Sequence, residues 1–543
     1  MASSTQSWRV ACSAAAIMEH RVLKRSIGLV QTFDATRVSG WVRAPAPAKI
    51  SLCLNRKPLA STWASAQLES DPGARAFRFQ LRDVWTYLSP SDQLSVQFEQ
   101  ATIPIEGGGE HLSPQKAGGK SPKELFQLIE SGHVFNQFGA LQLSKLHDTA
   151  WRQSMAALYG RVRAALKDVS GYDLFAFYGT MLGAVRGGDF IGHDHDFDAA
   201  YVSRHDDGEA VRREVVEIAA GLIARGFRVK PKLSCVLISH PEIKRATLDV
   251  FHLYFNAAGA LSVNFGVASD KTLSREEFAG VAPGRLGEME VLLPQPAETF
   301  AAYVYGDDWR VPNPGFNWKQ DRKAADRSAG LSEEERSAIH WNVHYADHEP
   351  AVAASAFCEA LRASEMGFAR VVDLGCGDGA DAAAFASEVP TLGVERAEQA
   401  ILRAGARGAE RLRLATADVL EPDSVGPSIA GFVGEDPHGP TLFYSRFLLD
   451  ALPRKRLQPA LTALLASMAP QDLFAAEFRA MAEDGPADHA PPPDESLRSP
   501  VKARKMRRIL RDLGFSILIY EVAASDEAEA GGHPVCRLIA RKS

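Results

Sequence analysis

An apolar run that leads into three alternating glycines constrains how the C-terminal third of this chain can fold. The segment reads V-V-D-L-G-C-G-D-G from Val371 to Gly379, and residues 380–387 continue with a helical pattern. Glycine suits such a turn because a side chain would keep the backbone from lying against a bound nucleoside or amino acid. From Arg370 onward, predicted strands alternate with helices, which indicates a doubly wound parallel sheet.

Two acidic residues follow this turn, each close to the end of a predicted strand. Glu395 comes directly after the apolar run 391–394, and Asp418 ends the sequence T-A-D further along the chain. An acid at the carboxyl end of such a strand can accept hydrogen bonds from both hydroxyls of a ribose. The pattern therefore indicates a ligand that contains a nucleoside.

The combination of D-L-G-C-G-D-G, Glu395 and T-A-D closely resembles the class I S-adenosylmethionine-dependent methyltransferases, over roughly residues 341–543. The resemblance implies a Rossmann-like α/β fold, S-adenosylmethionine as cofactor and methyl transfer as the reaction. It also implies that Asp373 or its neighbour holds the methionine end, Glu395 the ribose and Asp418 the adenine amine. The cofactor-binding residues implied in this way are Asp373, Gly375, Gly377, Gly379, Glu395 and Asp418.

Two alternatives for this region stay open: an NAD-binding Rossmann half, and a methyltransferase fold that has lost its cofactor. The alternating glycines do not form G-x-G-x-x-G, which disfavours the first alternative. The family places the acceptor side of the pocket after the next strand, at R-F-L-L-D (446–450), and residues 535–540 resemble its terminal antiparallel strand.

A second cluster of chemistry-bearing residues lies in the middle of the chain. It comprises Y-G-T-M-L-G-A-V-R (178–186) and F-I-G-H-D-H-D-F-D (190–198). Strand alternation would place Asp196 and Asp198 on one face, where two like charges repel unless a cation lies between them. A third acid, Asp249, interrupts the apolar run 247–251, which is costly unless the acid is paired or binds metal. These acids predict a site for a hard divalent cation, Mg²⁺ or Mn²⁺.

These residues resemble the LicD/fukutin family of phosphotransferases, whose signature is G-T-L-L-G-A-V-R…F-I-P-W-D-D-D-I-D, over about residues 143–317. The family's Y-G-x-x-W…P ending is matched by Tyr305 to Trp309 and by Pro312. The resemblance implies an α/β nucleotidyltransferase-like domain that moves a phospho-alcohol from a CDP-linked donor onto a glycan. It implies that Asp196, Asp198 and Asp249 are catalytic residues and metal ligands, with Asp249 as third ligand or base. The implied substrate- and phosphate-binding residues are Gly179, Thr180, Arg186, Asp194 and His195.

Two residues depart from that signature. His193 stands where the family has Trp, and His195 stands where it has the middle Asp. We expect His195 on the opposite face of the strand from the aspartate pair. A structural or substrate-contact role and a role as metal ligand both remain open for it.

The remaining patterns divide the chain into domains. Short β segments between about residues 26 and 105 predict an accessory β-sandwich over 1–105. A Gly-, Lys- and Pro-rich linker follows at 106–121, and Ser121-Pro122 begins a helix. The phosphotransferase-like domain is expected over 122–317, a charged linker over 318–331, and the methyltransferase over 332–543, beginning with a capping box of Ser332 and Glu335. The predicted fold class is a multidomain chain with an N-terminal β-sandwich and two α/β domains.

Composition narrows the partners and the compartment. A formal net charge of -6 and a pI near 6.2 argue against binding to a nucleic acid polymer. Six scattered cysteines predict a cytoplasmic chain, and the absence of a long apolar run predicts that it has no transmembrane segment. The short apolar patch 10–18 is interpreted as a strand or helix rather than a secretory signal. The basic stretch 502–511 is either a solvated face or a contact for an anionic glycan or a membrane surface, so peripheral membrane association stays open.

Together these patterns predict a bifunctional glycan-tailoring enzyme. It would transfer a phospho-alcohol, such as phosphocholine, phosphoethanolamine or ribitol phosphate, to a surface or capsular polysaccharide. It would also methylate the glycan or the added group with S-adenosylmethionine. One alternative is a nucleotidyltransferase that activates a small alcohol or sugar with CTP. Another is a methyltransferase with a non-catalytic nucleotidyltransferase-like binding module.

Overall fold

The computed structural model describes residues 27–313, 316, 318, 322–323, 326–436, 438–481, 498–524 and 530–543. The chain divides into two compact units, Met1–Val211 with Leu237–Ala329, and Arg212–Val236 with Gly330–Ser543. The apolar patch 10–18 lies outside the described residues. The chain is thus multidomain, with mixed sheets, and the segment Arg212–Val236 groups with the C-terminal unit rather than with the residues on either side of it.

The N-terminal part of the first unit contains two four-stranded antiparallel sheets. Their orders are β1-β2-β6-β5 and β4-β3-β7-β8, with bounds Gly28–Phe33, Arg37–Arg43, Ala48–Leu54, Lys57–Ala64, Ala66–Leu68, Asp71–Gln80, Leu94–Phe98 and Ala101–Thr102 for β1 to β8. Apolar residues of both sheets share one core. Strand β4 was not expected from the sequence, because Pro58 interrupts it; β4 lies at the edge of its sheet, where a proline can be accommodated.

The segment that was predicted as a linker, 106–121, is hydrogen-bonded to the N-terminal β region. The N–H of Gly118 donates to the carbonyl of Leu88 (2.8 Å), and that of Lys120 donates to Thr86 (3.0 Å). Helix α1 (Pro122–Glu130) begins where expected, with Ser121 in a capping box. Its Leu125 is buried in the same core as the two sheets, so α1 packs with the β region.

The central part of the first unit is built on a mixed sheet with strands β11, β12, β15 and β14 in that order, and β16 beside β15. Strands β12 and β15 are parallel, whereas β11 is antiparallel to β12. The strands are β11 (Phe175–Ala176), β12 (Asp198–Ser203), β14 (Cys235–His240), β15 (Ile243–Phe255) and β16 (Leu261–Val263). Two hairpins accompany them: β9–β10 (His133–Phe135, Leu141–Leu143) and β17–β18 (Val281–Leu286, Met289–Pro294). The helices of this part are α2 (Thr149–Ser170) and α3 (Tyr178–Gly187), the start of α4 (Gly208–Ile223), which from Arg212 onward belongs to the second unit, and α5 (Ala297–Tyr305).

The predicted linker 318–331 contains residues that are part of the fold. Ala329 is buried against Val211 and Tyr254 in the first unit, and its carbonyl lies 2.8 Å from Nε2 of His252. Ala329 is therefore a packing residue, which its charged surroundings in the sequence did not indicate.

The second unit contains a seven-stranded sheet of order β21-β20-β19-β22-β23-β25-β24. The strands are β19 (Arg370–Leu374), β20 (Thr391–Glu395), β21 (Leu412–Thr416), β22 (Thr441–Arg446), β23 (Leu473–Arg479), β24 (Phe515–Ala523) and β25 (Val535–Lys542), and this unit also includes β13 (Arg228–Pro231). Strands β19 to β23 are parallel, and β25 is antiparallel to both of its neighbours. The antiparallel strand expected at 535–540 is thus present.

Besides the larger part of α4, seven helices are described in this second unit, beginning with α6 (Glu333–Asp347), whose N-terminus carries the expected capping box. The others are α7 (Ala356–Arg362), α8 (Ala380–Ala386), α9 (Glu398–Ala406), α10 (Pro422–Glu435), α11 (Arg454–Ala466) and α12 (Ala503–Asp512). Two separate cores contain alternate residues of β19, with Val372 and Leu374 in one and Val371 in the other. The sheet is therefore covered on both faces.

Helix α12 is the basic stretch that the sequence singled out. Its apolar residues Met506 and Leu510 are buried in the core, while Arg504, Lys505 and Arg508 are exposed. None of the helices in the described part of the chain combines the length and the apolar character that a bilayer span requires.

Candidate functional site

The glycine turn lies at the carboxyl end of β19, between neighbouring strands β20 and β22. Gly375, Gly377 and Gly379 have φ values of 71°, 55° and 77°, a region that favours glycine. A Cβ atom on Gly377 would collide with the hydroxyl of Tyr345, and one on Gly375 would lie 2.9 Å from Cδ1 of Leu448. The turn therefore needs glycine both for its backbone conformation and for close packing.

Glu395 lies against this turn, as expected. Its Oε2 accepts a hydrogen bond from the N–H of Gly377 (3.3 Å), and its Oε1 accepts from the N–H groups of Arg396 (2.8 Å) and Ala397 (3.0 Å). Burial raises the pKa of Glu395, and these backbone donors oppose the shift. The three donors fix the carboxylate in one orientation at the end of β20.

Asp418 and Asp373 have different surroundings. Asp418 follows β21 and pairs with Arg396 (Nη1 to Oδ2, 3.2 Å), while its Oδ1 accepts from the N–H of Leu420 (2.8 Å). Asp373 lies within β19 and is buried; burial and then the charge of Asp381 raise its pKa well above the usual range. Arg396 thus contacts both acids: its guanidinium group pairs with Asp418, and its backbone N–H donates to Glu395. Asp373, in contrast, faces the interior.

Tyr345 was not identified from the sequence. It lies in the last part of α6, close to Gly377, and burial followed by the charge of Glu395 raises the pKa of its hydroxyl well above the usual range. The hydroxyl is therefore protonated at neutral pH. The signal in the sequence was the aromatic-rich W-N-V-H-Y run (341–345), which lies well before the glycine turn and shows no relation to it without the fold.

The residues after β22, where the acceptor side was expected, include a buried acid. Asp450 is fully buried, and its Oδ2 lies 3.5 Å from Nη1 of Arg498 and 3.7 Å from Nε of Arg479. Burial raises the pKa of Asp450, and the two guanidinium groups oppose the shift. The guanidinium carbon of Arg498 also lies 4.8 Å from the ring centroid of Trp341. Trp341 belongs to α6, so this helix also borders the buried acid.

In the first unit, the predicted acids come together beside two parallel strands, at the first residue of β12 and in the middle of β15. Asp198 and Asp249 occupy facing positions of β12 and β15. Carboxylate oxygens of Asp196, Asp198 and Asp249 all lie within 4.8 Å of one another, and ligand atoms of Asp194, His195 and Asp196 form a second group by the same measure. Asp196 belongs to both groups.

The electrostatics of these acids fit a divalent cation. Partial burial, and after it the charges of Asp196 and Asp194, raise the pKa of Asp198 well above its usual range. The pKa of Asp194 is raised in the same way by burial and by Asp196. Carboxylate oxygens are the donors that Mg²⁺ and Mn²⁺ prefer, and a cation between them would remove the repulsion.

Three of the residues expected to bind substrate or phosphate, Gly179, Thr180 and Arg186, lie on helix α3. The helix continues through Leu182 and Ala184 because residues 180–186 contain good helix formers, so Gly179 and Thr180 form its first turn. The N–H of Gly179 donates to Oδ2 of Asp198 (3.2 Å), and Oγ1 of Thr180 accepts from the N–H of Asp198 (2.9 Å). A Cβ on Gly179 would collide with Asp194. These two residues therefore position the acids.

Arg186 and the histidines surround the same cluster. Arg186 lies in the last turn of α3; burial lowers its pKa, and Tyr305 opposes this shift. Burial, with a further contribution from Arg186, lowers the pKa of His193 to about 4. The expectation for His195 was wrong: β12 begins only at Asp198, so strand alternation does not apply, and Nε2 of His195 lies 3.4 Å from Oδ2 of Asp196.

Lys145 is a further residue that sequence patterns did not reveal. Its side chain is only 8% exposed, and Nζ lies 3.7 Å from the ring centroid of Trp151. Burial lowers the pKa of Lys145, while the charges of Asp148, Asp194 and Asp196 oppose that shift. A buried cation beside the acids is suited to a phosphate or to balancing their charge, but nothing in the local sequence distinguishes this lysine from a surface one.

Comparison with known proteins adds only distant similarities. No family model and no curated protein matches the chain. Among solved structures, the [4+2]-cyclase SpnF is 16% identical with a TM-score of 0.29, over 39% of this chain and 94% of SpnF. Magnesium protoporphyrin IX methyltransferase (ChlM) from Synechocystis PCC 6803 with bound SAM is 16% identical with a TM-score of 0.25, over 38% and 81%. A SAM-dependent methyltransferase from Anabaena variabilis is 16% identical with a TM-score of 0.29, over 38% and 92%. The function proposed below rests on the residues of the chain itself.

Proposed function

We propose that the second unit binds S-adenosylmethionine and transfers its methyl group to an acceptor. The observation that carries this proposal is the hydrogen bond from Gly377 to Glu395, which joins a glycine turn to an oriented carboxylate at the ends of adjacent parallel strands. This is the arrangement that the family resemblance implies for a nucleoside with an amino-acid end. The antiparallel β25 in the same sheet agrees with it.

The residues divide the binding of the cofactor among them. Glu395 accepts hydrogen bonds from the ribose hydroxyls, and Asp418 accepts one from the adenine amine. The glycines let Tyr345 and Leu448 pack directly against the turn, so these two side chains would border the cofactor. The sulfonium of the cofactor supplies a reactive methyl group, so the protein contributes mainly by positioning the acceptor and excluding water. No general base is therefore required.

Calorimetry of the full chain with S-adenosylhomocysteine tests this proposal. The Glu395→Ala variant should lose at least about tenfold in affinity, because two hydrogen bonds to the ribose disappear. Glu410→Ala removes an exposed glutamate of the same unit and is the matched control, with no expected change. Equal affinities for wild type and Glu395→Ala would exclude the assigned role of Glu395.

We also propose that the first unit carries a metal-dependent phosphotransferase, which moves a phospho-alcohol from a CDP-linked donor to a glycan. The supporting observation is the convergence of Asp196, Asp198 and Asp249 within 4.8 Å, with Asp194 adjoining them. The donor and the acceptor class come from the LicD/fukutin resemblance. The two activities in one chain would act on one acceptor, because tethering raises its effective concentration.

In this proposal the acids hold the cation, and nearby cations hold the phosphates. Asp196, Asp198 and Asp249 would be the ligands of Mg²⁺ or Mn²⁺, which supplies charge stabilisation to the transferring phosphoryl group. Asp249 is the residue that can take the proton from the acceptor hydroxyl. Lys145, whose charge interacts with those of Asp194 and Asp196, and Arg186 would attract the phosphates of the donor.

Product analysis separates this reaction from its alternatives. CDP-choline or CDP-ethanolamine with an acceptor should release CMP, whereas a CTP-dependent nucleotidyltransferase should release pyrophosphate. Asp198→Asn should abolish either release, and Asp206→Asn, an exposed acid beyond the other end of β12, should not. A non-catalytic binding module would release neither product with any of these donors.

A further inference from the structure

Helices α11 and α12 of the second unit border a groove that the proposed cofactor site does not use. The groove has a volume of about 650 Å³. Its polar lining consists of Arg454, Lys455, Gln458 and Thr462 from α11 and Lys505 from α12. The lining residues of α11 extend from Arg454, its first residue, to Ala466, its last. At about 1.5 Å per residue, the groove is therefore about 20 Å long.

The charge of this groove is one-sided. Arg454, Lys455 and Lys505 are exposed, and within the described part of the chain no acidic side chain forms an ion pair with any of them. The chain as a whole carries a net charge of -6, so these cations do not reflect a generally basic protein. An unbalanced group of cations in a concave surface attracts a ligand with negative charges.

The positions of these cations also argue against a purely structural role. Arg454 and Lys455 are the first two residues of α11, and Lys505 lies near the start of α12. Neither helix has an acidic residue in its first turn. Cations at a helix N-terminus are unfavourable because the helix dipole is positive there. These residues therefore lower the stability of their helices while they raise the positive potential of the groove.

The groove begins at the edge of the sheet that carries the proposed methyltransferase site. Helix α11 is connected to β22 by a short segment that contains Leu448, and Leu448 packs against Gly375. Helix α12 follows Val501, which forms a bridge with Ala480 just beyond the carboxyl end of β23. Both helices thus start at the carboxyl edge of the parallel strands, on the acceptor side of the glycine turn.

The side chains around the groove favour a flexible polymer over a membrane surface. The apolar face of α12, which includes Met506 and Leu510, is buried in the core and has nothing to insert into a bilayer. The groove is open to solvent, because all of its lining residues except Thr462 are exposed. A flexible chain could therefore lie along it, with its charged groups beside the cations. Small residues, Pro459, Ala463 and Ala466, line the groove and let a chain approach, while Gln458 and Thr462 offer hydrogen bonds to hydroxyl groups.

We propose that the groove between α11 and α12 binds an anionic glycan, whose phosphate or carboxylate groups contact Arg454, Lys455 and Lys505, and that this polymer is the methyl acceptor. The acceptor role rests on the proposed methyltransferase function, whereas glycan binding does not. The acceptor would extend from the glycine turn along α11, with its charged groups held by the three cations. Binding should weaken with added salt, because each contact releases counterions.

Fluorescence anisotropy with four labelled probes tests the groove on the full chain. The probes are an oligogalacturonide, a poly(glycerol phosphate) of similar length, a neutral malto-oligosaccharide and a single-stranded DNA; vesicles that contain phosphatidylserine form a fifth arm. We expect one of the two anionic glycans to bind and the neutral one not to bind. The oligogalacturonide and the poly(glycerol phosphate) distinguish carboxylate from phosphate recognition.

Two double variants with the same change in charge assign the binding. Lys455→Gln with Lys505→Gln should weaken binding of the anionic glycan by about tenfold. Arg411→Gln with Arg413→Gln, at strand β21 on the opposite edge of the sheet, should change it by less than about twofold. The substituted side chains are all exposed, so both variants should fold.

The proposal is wrong if neither anionic glycan binds, if both double variants weaken binding equally, or if DNA or vesicles bind more tightly in a groove-dependent way. S-adenosylhomocysteine binding is measured on the same samples. If the wild type does not bind S-adenosylhomocysteine, the methyltransferase function and the acceptor role are contradicted, but glycan binding by the groove is not. Its presence without glycan binding would contradict the groove alone.

Discussion

The backbone N–H of Gly377 donates a hydrogen bond to Oε2 of Glu395 over 3.3 Å and thereby joins the ends of two adjacent parallel strands. One partner comes from a turn that must be glycine, and the other is the acid that the sequence places after the next strand. The contact leaves Glu395 with a fixed orientation before any ligand binds. Preorganisation of this kind lowers the entropic cost of binding.

The Gly377→Ala variant should lose S-adenosylhomocysteine binding by at least about tenfold, because the new methyl group collides with the hydroxyl of Tyr345. Gly408→Ala is the control: Gly408 has a similar φ of 67°, but no atom lies within 4 Å of an added Cβ. Both variants should lose roughly 1–2 kcal/mol of stability through backbone strain. Calorimetry and thermal unfolding measure the two effects, and equal affinities for both variants would show that the collision is irrelevant.

The Asp198→Asn variant should stabilise the metal-free protein by on the order of 1 kcal/mol, because it removes one charge from a group of like charges. The same variant should lose the increase in thermal stability that Mn²⁺ gives to the wild type. Asp206→Asn should show neither effect. Differential scanning fluorimetry with and without Mn²⁺ measures both, and an unchanged response of Asp198→Asn to Mn²⁺ would remove Asp198 from the metal site.

Replacement of Lys145 by Met should separate metal binding from donor binding. The methionine keeps contact with Trp151 but removes a positive charge beside Asp194 and Asp196, so Mn²⁺ should bind about threefold to tenfold more tightly. The KM for a CDP-linked donor should rise, because a cation that attracts its phosphates is lost. Lys167→Met, at the far end of α2, is the control. Weaker binding of Mn²⁺ by Lys145→Met would contradict this assignment.

His344 should make the second unit less stable in acid. Burial, followed by the charges of His348 and Arg498, lowers the pKa of His344 from 6.5 to about 4. Between these two pH values the unfolded chain binds a proton that the folded chain does not, so the free energy of unfolding falls as pH falls from 6.5 to 4. His344→Gln should reduce this slope. Urea unfolding at several pH values measures it, and identical slopes for variant and wild type would refute the contribution of His344.

Local patterns predicted the elements that bring the candidate residues together, but not all of the contacts. The strand, glycine turn and second strand around Glu395 were predictable because hydrophobic period and glycine spacing are local properties. Asp198 and Asp249 were expected in one site because each adjoins or interrupts an apolar run, and they occupy facing positions of β12 and β15. The helix at 178–187 was not predicted, because Gly179 resembles a turn residue although the following residues favour a helix.

Residues brought in from distant elements could not be predicted in this way. Tyr345 reaches the glycine turn from α6, and Lys145 reaches the acids from the segment before α2, so their positions depend on tertiary packing. Ala329 appeared to belong to a linker because its neighbours are charged, yet it is fully buried. Helix α1 was assigned to the central domain by its place in the chain, whereas its apolar face packs on the N-terminal core.

The most direct test of this account is a pair of titrations on three proteins: wild type, Glu395→Ala and Asp198→Asn. Isothermal calorimetry would follow S-adenosylhomocysteine in one titration and Mn²⁺ in the other. We expect the wild type to bind both, Glu395→Ala to lose only S-adenosylhomocysteine, and Asp198→Asn to lose only Mn²⁺. A wild type that binds neither ligand, or variants that leave both affinities unchanged, would contradict the claim that this chain carries two separate acid-built sites.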